Sequence, residues 1–322
     1  MTRIDKAIDL SGRQSASGSF WTVFGLLIAG FFIGQFVSAM FVYTFMLVNG
    51  AGIEEMSDPS AMFEYVSLTQ LLISQAFYTL VFTFLTPWFY LKSIAKKSIK
   101  DLYQEYKTPF LPAILTVLAT IAFMFVNVYL VEWNAGIDLP DSLAGIEKIL
   151  KSMEESLAET TEKFTTFNSF GGFLLGFIVI AVLPGIGEEI MFRGVLQNTL
   201  HKYSGNKHIA IWVTGFIFAA IHLQFYGVVP RMMLGVLFGY LYVWSGNLWL
   251  PIISHITNNG LAVILTYAAQ LEATDINIDD TESMPGWMSA VGLVVCLAIL
   301  FVIRNYYLRP KSNNELLRDN LQ

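Results

Sequence analysis

The sequence predicts an all-α protein, a polytopic integral membrane bundle of about eight transmembrane helices. Three observations predict it. The chain has 322 residues, of which 55% are hydrophobic and 14% charged, where a soluble domain carries roughly 25% charged residues. The charges are clustered, so that Arg13 to Glu54 encloses 40 uncharged residues, Glu64 to Lys92 encloses 27, and Lys107 to Glu132 encloses 24. Apolar gaps of about 18 or more residues read as membrane spans. Finally, an eight-span alternation sorts the basic loops onto one side.

The expected spans are 20–47, 66–91, 109–131, 168–190, 208–226, 229–245, 248–270 and 286–307. The first run, Phe20 to Val48, is too long for the apolar core of a signal peptide and has no clear cleavage site. The second and third fill the uncharged gaps before Lys92 and Glu132. Between the third and fourth lies an acidic segment, Asp138 to Thr166, whose Leu143, Ile146, Ile149 and Leu150 are spaced for one face of an amphipathic helix outside the bilayer. The fourth span can continue as helix to about Leu200, and Pro184 with Gly185 can bend it. Met232 to Leu271 is uncharged throughout, and Ser245-Gly246-Asn247 divides it into two spans. Glycine pairs at four-residue spacing, Gly30/Gly34, Gly172/Gly176 and Gly235/Gly239, let helices approach closely in lipid. The single cysteine, Cys296, lies in an apolar run and reads as a packing or lipid-facing residue.

Charge placement orients the bundle. Of the 19 Lys and Arg residues, 14 fall on the side of the two termini, and 17 of the 25 acidic residues fall on the other. The positive-inside rule makes both termini cytoplasmic. Three regions follow: an N-terminal membrane region, 1–165, with three spans and the acidic extracytoplasmic segment; a membrane core with the last span, 166–310; and a cytoplasmic tail, 311–322. The expected setting is a bacterial plasma membrane, and no nucleic-acid partner is expected.

An ionisable residue at the membrane centre costs about 2.5–3.5 kcal/mol on insertion scales, so it is a functional candidate. Glu188, Glu189, Arg193, His222 and His255 remain once the loops are assigned, with the amides Asn258 and Asn259 nearby. Glu189 and Arg193 are four apart in the favourable order, which predicts a helical ion pair. Glu188 is rotated by about 100° and points elsewhere, free to act as acid or base. Phe218 and His222 share a helix face, as do His255 and Asn259, and the latter two can offer donors to an oxyanion. Asn127, Gln70 and Gln75 read as interhelical glue.

Glu188-Glu189-x-x-x-Arg193, Phe218-x-x-x-His222 and His255-x-x-x-Asn259 together resemble the three motifs of the CAAX prenyl protease type II family. This is the CPBP family of intramembrane proteases, which includes the Ras-converting enzymes and bacteriocin-immunity proteins. The resemblance covers about Phe170 to Ala269 and leaves the first three spans open. It implies that Glu188 and His222 activate a water for direct attack on a peptide carbonyl. It implies His255 and Asn259 as the oxyanion-stabilising pair, Glu189 and Arg193 as a supporting salt bridge, and Phe218 as packing behind His222. The implied partners are the bilayer and a membrane-associated peptide or protein substrate.

No cofactor is expected. His-Glu-x-x-His is absent, and the alternative is zinc on Glu188, His222 and His255. Rival functions are a non-catalytic immunity or scaffold protein and a proton-coupled transporter; no inverted repeat supports the latter. With straight spans, Glu188 and His222 would differ in depth by about ten ångströms. The site therefore requires the fourth span to run past Arg193 or the fifth to start late.

Overall fold

The computed structural model describes residues 8–58, 61–103, 108–272 and 285–308, and no strand occurs among them. The expected tail 311–322 and the basic residues Arg3, Lys6, Lys107, Arg309, Lys311 and Arg318 lie outside the described residues. The main helices are α1 (Ala16–Val48), α2 (Leu68–Ala95), α3 (Phe110–Ala135), α4 (Ala144–Thr165), α5 (Phe170–Ser204), α6 (Lys207–Ala220), α7 (Val228–Ser245), α8 (Trp249–Gln270) and α9 (Gly286–Leu308). The protein is a polytopic helical membrane protein.

Six of the described helices, α1, α2, α3, α5, α7 with its lead-in from Phe225, and α9, are long and apolar enough to cross a membrane. This is fewer than the expected eight. The fifth expected span is α6, whose 14 residues reach only about 21 Å at 1.5 Å per residue, against a hydrocarbon core of about 30 Å. The seventh is α8, long enough at 22 residues but diluted by Ser254, His255, Thr257, Asn258 and Asn259.

Local sequence sets the helix ends. Ser15 caps α1 by accepting from the Gly18 amide, and Ser67 caps α2 in a reciprocal box with Gln70. Gly246, at φ +64°, ends α7. Gln70 also accepts from Asn49 at 3.2 Å, tying the end of α1 to the start of α2. Gln75 makes no such bond, and the Asn127 side-chain oxygen is buried without a partner. Of the three amides read as glue, only Gln70 acts as glue here.

Two of the three glycine pairs mark close approaches between helices, whereas Gly172 and Gly176 meet only Ser169 and Phe167 at the start of their own helix. A Cβ on Gly30 would meet Thr86, and one on Gly34 would meet Tyr78, so α1 lies directly on α2. Gly235 faces Gly215 across α7 and α6, and Gly239 faces Gln197. One apolar core joins α1, α2, α5 and the motif helices, and includes Phe20, Phe82, Tyr90, Phe192, Phe218 and Ile252. A second joins α3, α7 and α9 around Phe238, Leu241, Ile303 and the buried Cys296. The N-terminal helices thus share a core with the motif-bearing ones.

Candidate active site

The centre of the site is α5. Every residue from Glu189 to Leu200 is buried, so this stretch runs through the middle of the bundle. The helix continues to Ser204, which puts Glu188 nineteenth of its 35 residues. The fourth expected span thus runs on past Arg193, and Glu188 and His222 line one cavity.

Pro184 and its flanking glycines shape the approach to Glu188. An α-helical amide bonds the carbonyl four residues earlier, and Pro184 has no N–H to give to Ile180. The chain here takes π-helical turns, at Ile178–Val182 and again at Ile190–Gln197, a geometry found often at functional sites. The Ile180 carbonyl instead accepts from Asn259 Nδ2 at 3.2 Å. Gly185 and Gly187 admit different neighbours. A Cβ on Gly185 would lie 2.5 Å from Ile256 Cγ1 of α8, and one on Gly187 would lie 2.0 Å from Thr83 Oγ1 of α2. Helices α8 and α2 therefore close on α5 just before Glu188.

Glu189 and Arg193 pair as their spacing predicts. Arg193 Nη1 lies 2.7 Å from Glu189 Oε1, both side chains fully buried. Arg193 also donates to the Gly235 carbonyl at 3.1 Å and packs over the rings of Phe218 and Phe238 at 4.8 and 5.1 Å. The same Glu189 oxygen accepts from His255 Nδ1 at 2.8 Å. Glu189 therefore does more than neutralise Arg193: it orients His255 from α8. The His255 ring stacks on Phe238, with centroids 5.0 Å apart, and its Nε2 lies 4.0 Å from Glu188 Oε2.

His222 is held by the end of its own helix. A helix leaves its last four carbonyls without helical partners. Here the Ile221, His222 and Leu223 amides reach Ile217, Ala219 and Ala220 respectively. Phe218 O remains, and His222 Nδ1 donates to it at 2.7 Å. A carbonyl only accepts, so Nδ1 carries the proton and Nε2 of the neutral ring is a free acceptor. Phe218 thus holds His222 through its main chain as well as its ring, 5.1 Å away and edge-on. Leu223 follows in the left-handed region at φ +55°, an uncommon conformation for a branched residue.

Glu188 and His222 line one cavity of about 410 Å³. Its roof is α4, through Met153 and Leu157. Gln224 Nε2 donates to Glu154 Oε1 of α4 at 2.9 Å and Gln224 Oε1 accepts from Arg231, linking that helix to the turn after His222. Another part of the lining comes from α1 and α2 and includes Tyr78, a residue that the sequence reading missed; no signal in its local sequence marks it.

The expected oxyanion pair, His255 and Asn259, is partly committed to protein partners. His255 has committed Nδ1 to Glu189, and Asn259 has committed one Nδ2 hydrogen to Ile180 while its oxygen accepts from Asn258 at 3.1 Å. Among the described residues no group of three or more His, Cys, Asp and Glu gathers in a way that could hold a metal ion.

Residues 170–261 match the family model described as type II CAAX prenyl endopeptidase Rce1-like. The chain carries an Rce1-like domain. All seven residues singled out above, from Glu188 to Asn259, fall inside the domain. The chain is also similar to three bacterial proteins. It is 33% identical over 82 residues to YpbD of Bacillus subtilis, named as uncharacterized. It is 33% identical over 90 residues to MroQ of Staphylococcus aureus, named as a membrane-embedded CAAX protease, and 29% identical over 88 residues to YdiL of Bacillus subtilis, named as a membrane peptidase. These stretches cover 24–27% of the chain and 36–39% of the relatives' own lengths. No solved structure matches the chain significantly. The Rce1-like domain begins with α5 and ends within α8, so α1 to α4 lie outside it.

Proposed function

We propose that the chain is an intramembrane endopeptidase that hydrolyses a peptide bond near the membrane by direct attack of water. The observation that carries this reading is the shared cavity: Glu188 and His222 both line it, and His222 Nε2 is free to accept a proton. In this reading the Glu188 carboxylate takes one proton from a water while His222 Nε2 accepts its other hydrogen and orients it. The water oxygen bonds to the carbonyl carbon, and the carbonyl electron pair moves onto oxygen. Collapse of that intermediate breaks the C–N bond, and the proton held by Glu188 passes to the leaving nitrogen. No acyl-enzyme forms.

His255 Nε2 and the second Nδ2 hydrogen of Asn259 stabilise the oxyanion. With Nδ1–H given to Glu189, His255 donates from Nε2 only as the doubly protonated ring. Glu189 and Arg193 hold that ring in place. No step passes through a metal. The substrate is a membrane-associated peptide or protein, in a bacterial plasma membrane with both termini of the chain cytoplasmic.

The test is a comparison of peptides from cells carrying the wild-type chain, Glu188→Gln or His222→Gln. General-base loss lowers the rate about 10²–10⁴-fold, so a defined set of products disappears in both variants. If both variants accumulate to normal level and leave the peptide profile unchanged, the endopeptidase reading fails.

A further inference from the structure

The Rce1-like domain supplies only part of the cavity lining. A wall from α1 and α2 carries Phe31 and Gln35, one helical turn apart, and Gln75 and Tyr78, three apart on one face. None of these lies in the matched segment. We infer that this wall is the substrate-binding half of the site, where Gln35, Gln75 and Tyr78 take up the main-chain N–H and C=O groups of an apolar, locally unwound peptide segment. The inference rests on the endopeptidase reading and extends it to residues outside the recognised domain.

Three observations support it. First, the side chains are unspent. The Gln35 and Gln75 carboxamides and the Tyr78 hydroxyl make no hydrogen bond to any described residue, whereas Gln70, one turn before Ser74 on the same helix, accepts through Oε1 from Ser67 and Asn49. Second, the wall is fixed in place. Gly34 is buried, and a Cβ there would lie 3.0 Å from the Tyr78 ring and 3.2 Å from its carbonyl oxygen. The Tyr78 ring also meets Phe31 and Phe82, at 6.1 and 5.7 Å. Gly187 lets Thr83 close on α5 one residue before Glu188. Third, apart from Ser156 and the pair Glu188 and His222, the rest of the lining, including Met153, Leu157, Ile221 and Leu223, is apolar, and the cavity contains no Lys or Arg.

The chemistry follows from the membrane. A peptide bond within a helix has its polar groups paired, and attack on it requires local unwinding. Each main-chain group then left bare in apolar surroundings costs several kcal/mol. A carboxamide offers one acceptor and two donors, and a phenol offers one of each. Two carboxamides and a phenol in one cavity with Glu188 and His222 match the bare groups of a short unwound stretch. The apolar lining takes its side chains.

The experiment uses the full-length chain in nanodiscs and a synthetic copy of a peptide whose cleavage in cells depends on Glu188. Gln75→Leu and Gln35→Leu each raise KM about tenfold, the effect of losing one hydrogen bond to a buried group, with kcat nearly unchanged. Tyr78→Phe does the same. Replacing single amide bonds of the peptide by esters removes one N–H at a time. At one position the ester weakens wild-type cleavage and leaves Gln75→Leu no weaker than with the amide. Unchanged KM in all three variants, with Glu188→Gln inactive, overturns this inference and leaves the endopeptidase reading standing. Absence of any Glu188-dependent product overturns both.

Discussion

His255 Nδ1 lies 2.8 Å from Glu189 Oε1, across 66 positions of sequence, and on the same oxygen Arg193 Nη1 lies at 2.7 Å. One buried carboxylate oxygen therefore fixes both a cation and a ring. Glu189→Gln leaves Arg193 charged and without its carboxylate in a fully buried position. Breaking such a pair by removing one partner costs about 3–5 kcal/mol, to be read as a lowered unfolding temperature in detergent. Glu189→Gln with Arg193→Met costs less than the sum of the two single changes; additive losses would mean that the pair is not coupled.

Asn259 and Pro184 form a second linked pair, through the Ile180 carbonyl. Interhelical hydrogen bonds in membranes average about 0.6 kcal/mol and reach about 1.7 kcal/mol. Asn259→Leu destabilises by an amount in this range. Pro184→Ala restores an amide four residues after Ile180, so Asn259→Leu costs less in that background. Equal cost in both backgrounds would show that the carbonyl does not need Asn259.

Leu223 sits at φ +55° directly after His222. The left-handed conformation costs a residue with a Cβ roughly 1–2 kcal/mol. Leu223→Gly removes that strain and stabilises the fold by about 1 kcal/mol after the lost packing against the cavity. Thermal unfolding measures it, and a drop in stability would mean that Leu223 contributes more by contact than it loses by strain.

At the N-terminal segment, Asp9 accepts from the Ser11 hydroxyl at 2.6 Å and the Ser11 amide at 3.1 Å, and Lys202 stands 3.4 Å away. The Ser11 hydroxyl bond first, then the Ser11 amide, hold its pKa below the ordinary 3.8. A carboxylate depressed in the folded state contributes stability above its ordinary value and loses it as pH falls through the folded one. Protection from amide hydrogen exchange around Ile8 and Leu10, taken relative to the intrinsic rate at each pH, therefore falls below about pH 4. Asp9→Asn is less protected at neutral pH and loses little further protection on acidification.

Helix existence was legible because lipid and apolar packing demand long uncharged runs, and the eight expected runs each became a helix. The span count was less legible. Hydropathy does not distinguish a helix that crosses the bilayer from one, like α6, that stops after 14 residues. The ion pair Glu189–Arg193 was legible because i,i+4 neighbours meet on any helix. The bond from Glu189 to His255 was not, because nothing local to either residue encodes a contact 66 positions away.

The sequence by itself determined the membrane class, the polar residues admitted to the interior, and the local pairs that helical periodicity enforces. Only the tertiary structure decided what those residues face. It put Glu188 at the middle of a 35-residue helix, gave Asn259 to a carbonyl that Pro184 leaves bare, and brought Gln35, Gln75 and Tyr78 into one cavity with Glu188 and His222. Periodicity operates within one helix. Which helices approach, and at what depth, depends on glycines such as Gly34, Gly185 and Gly187, whose effect appears only when a neighbour is there to occupy the missing side chain's space.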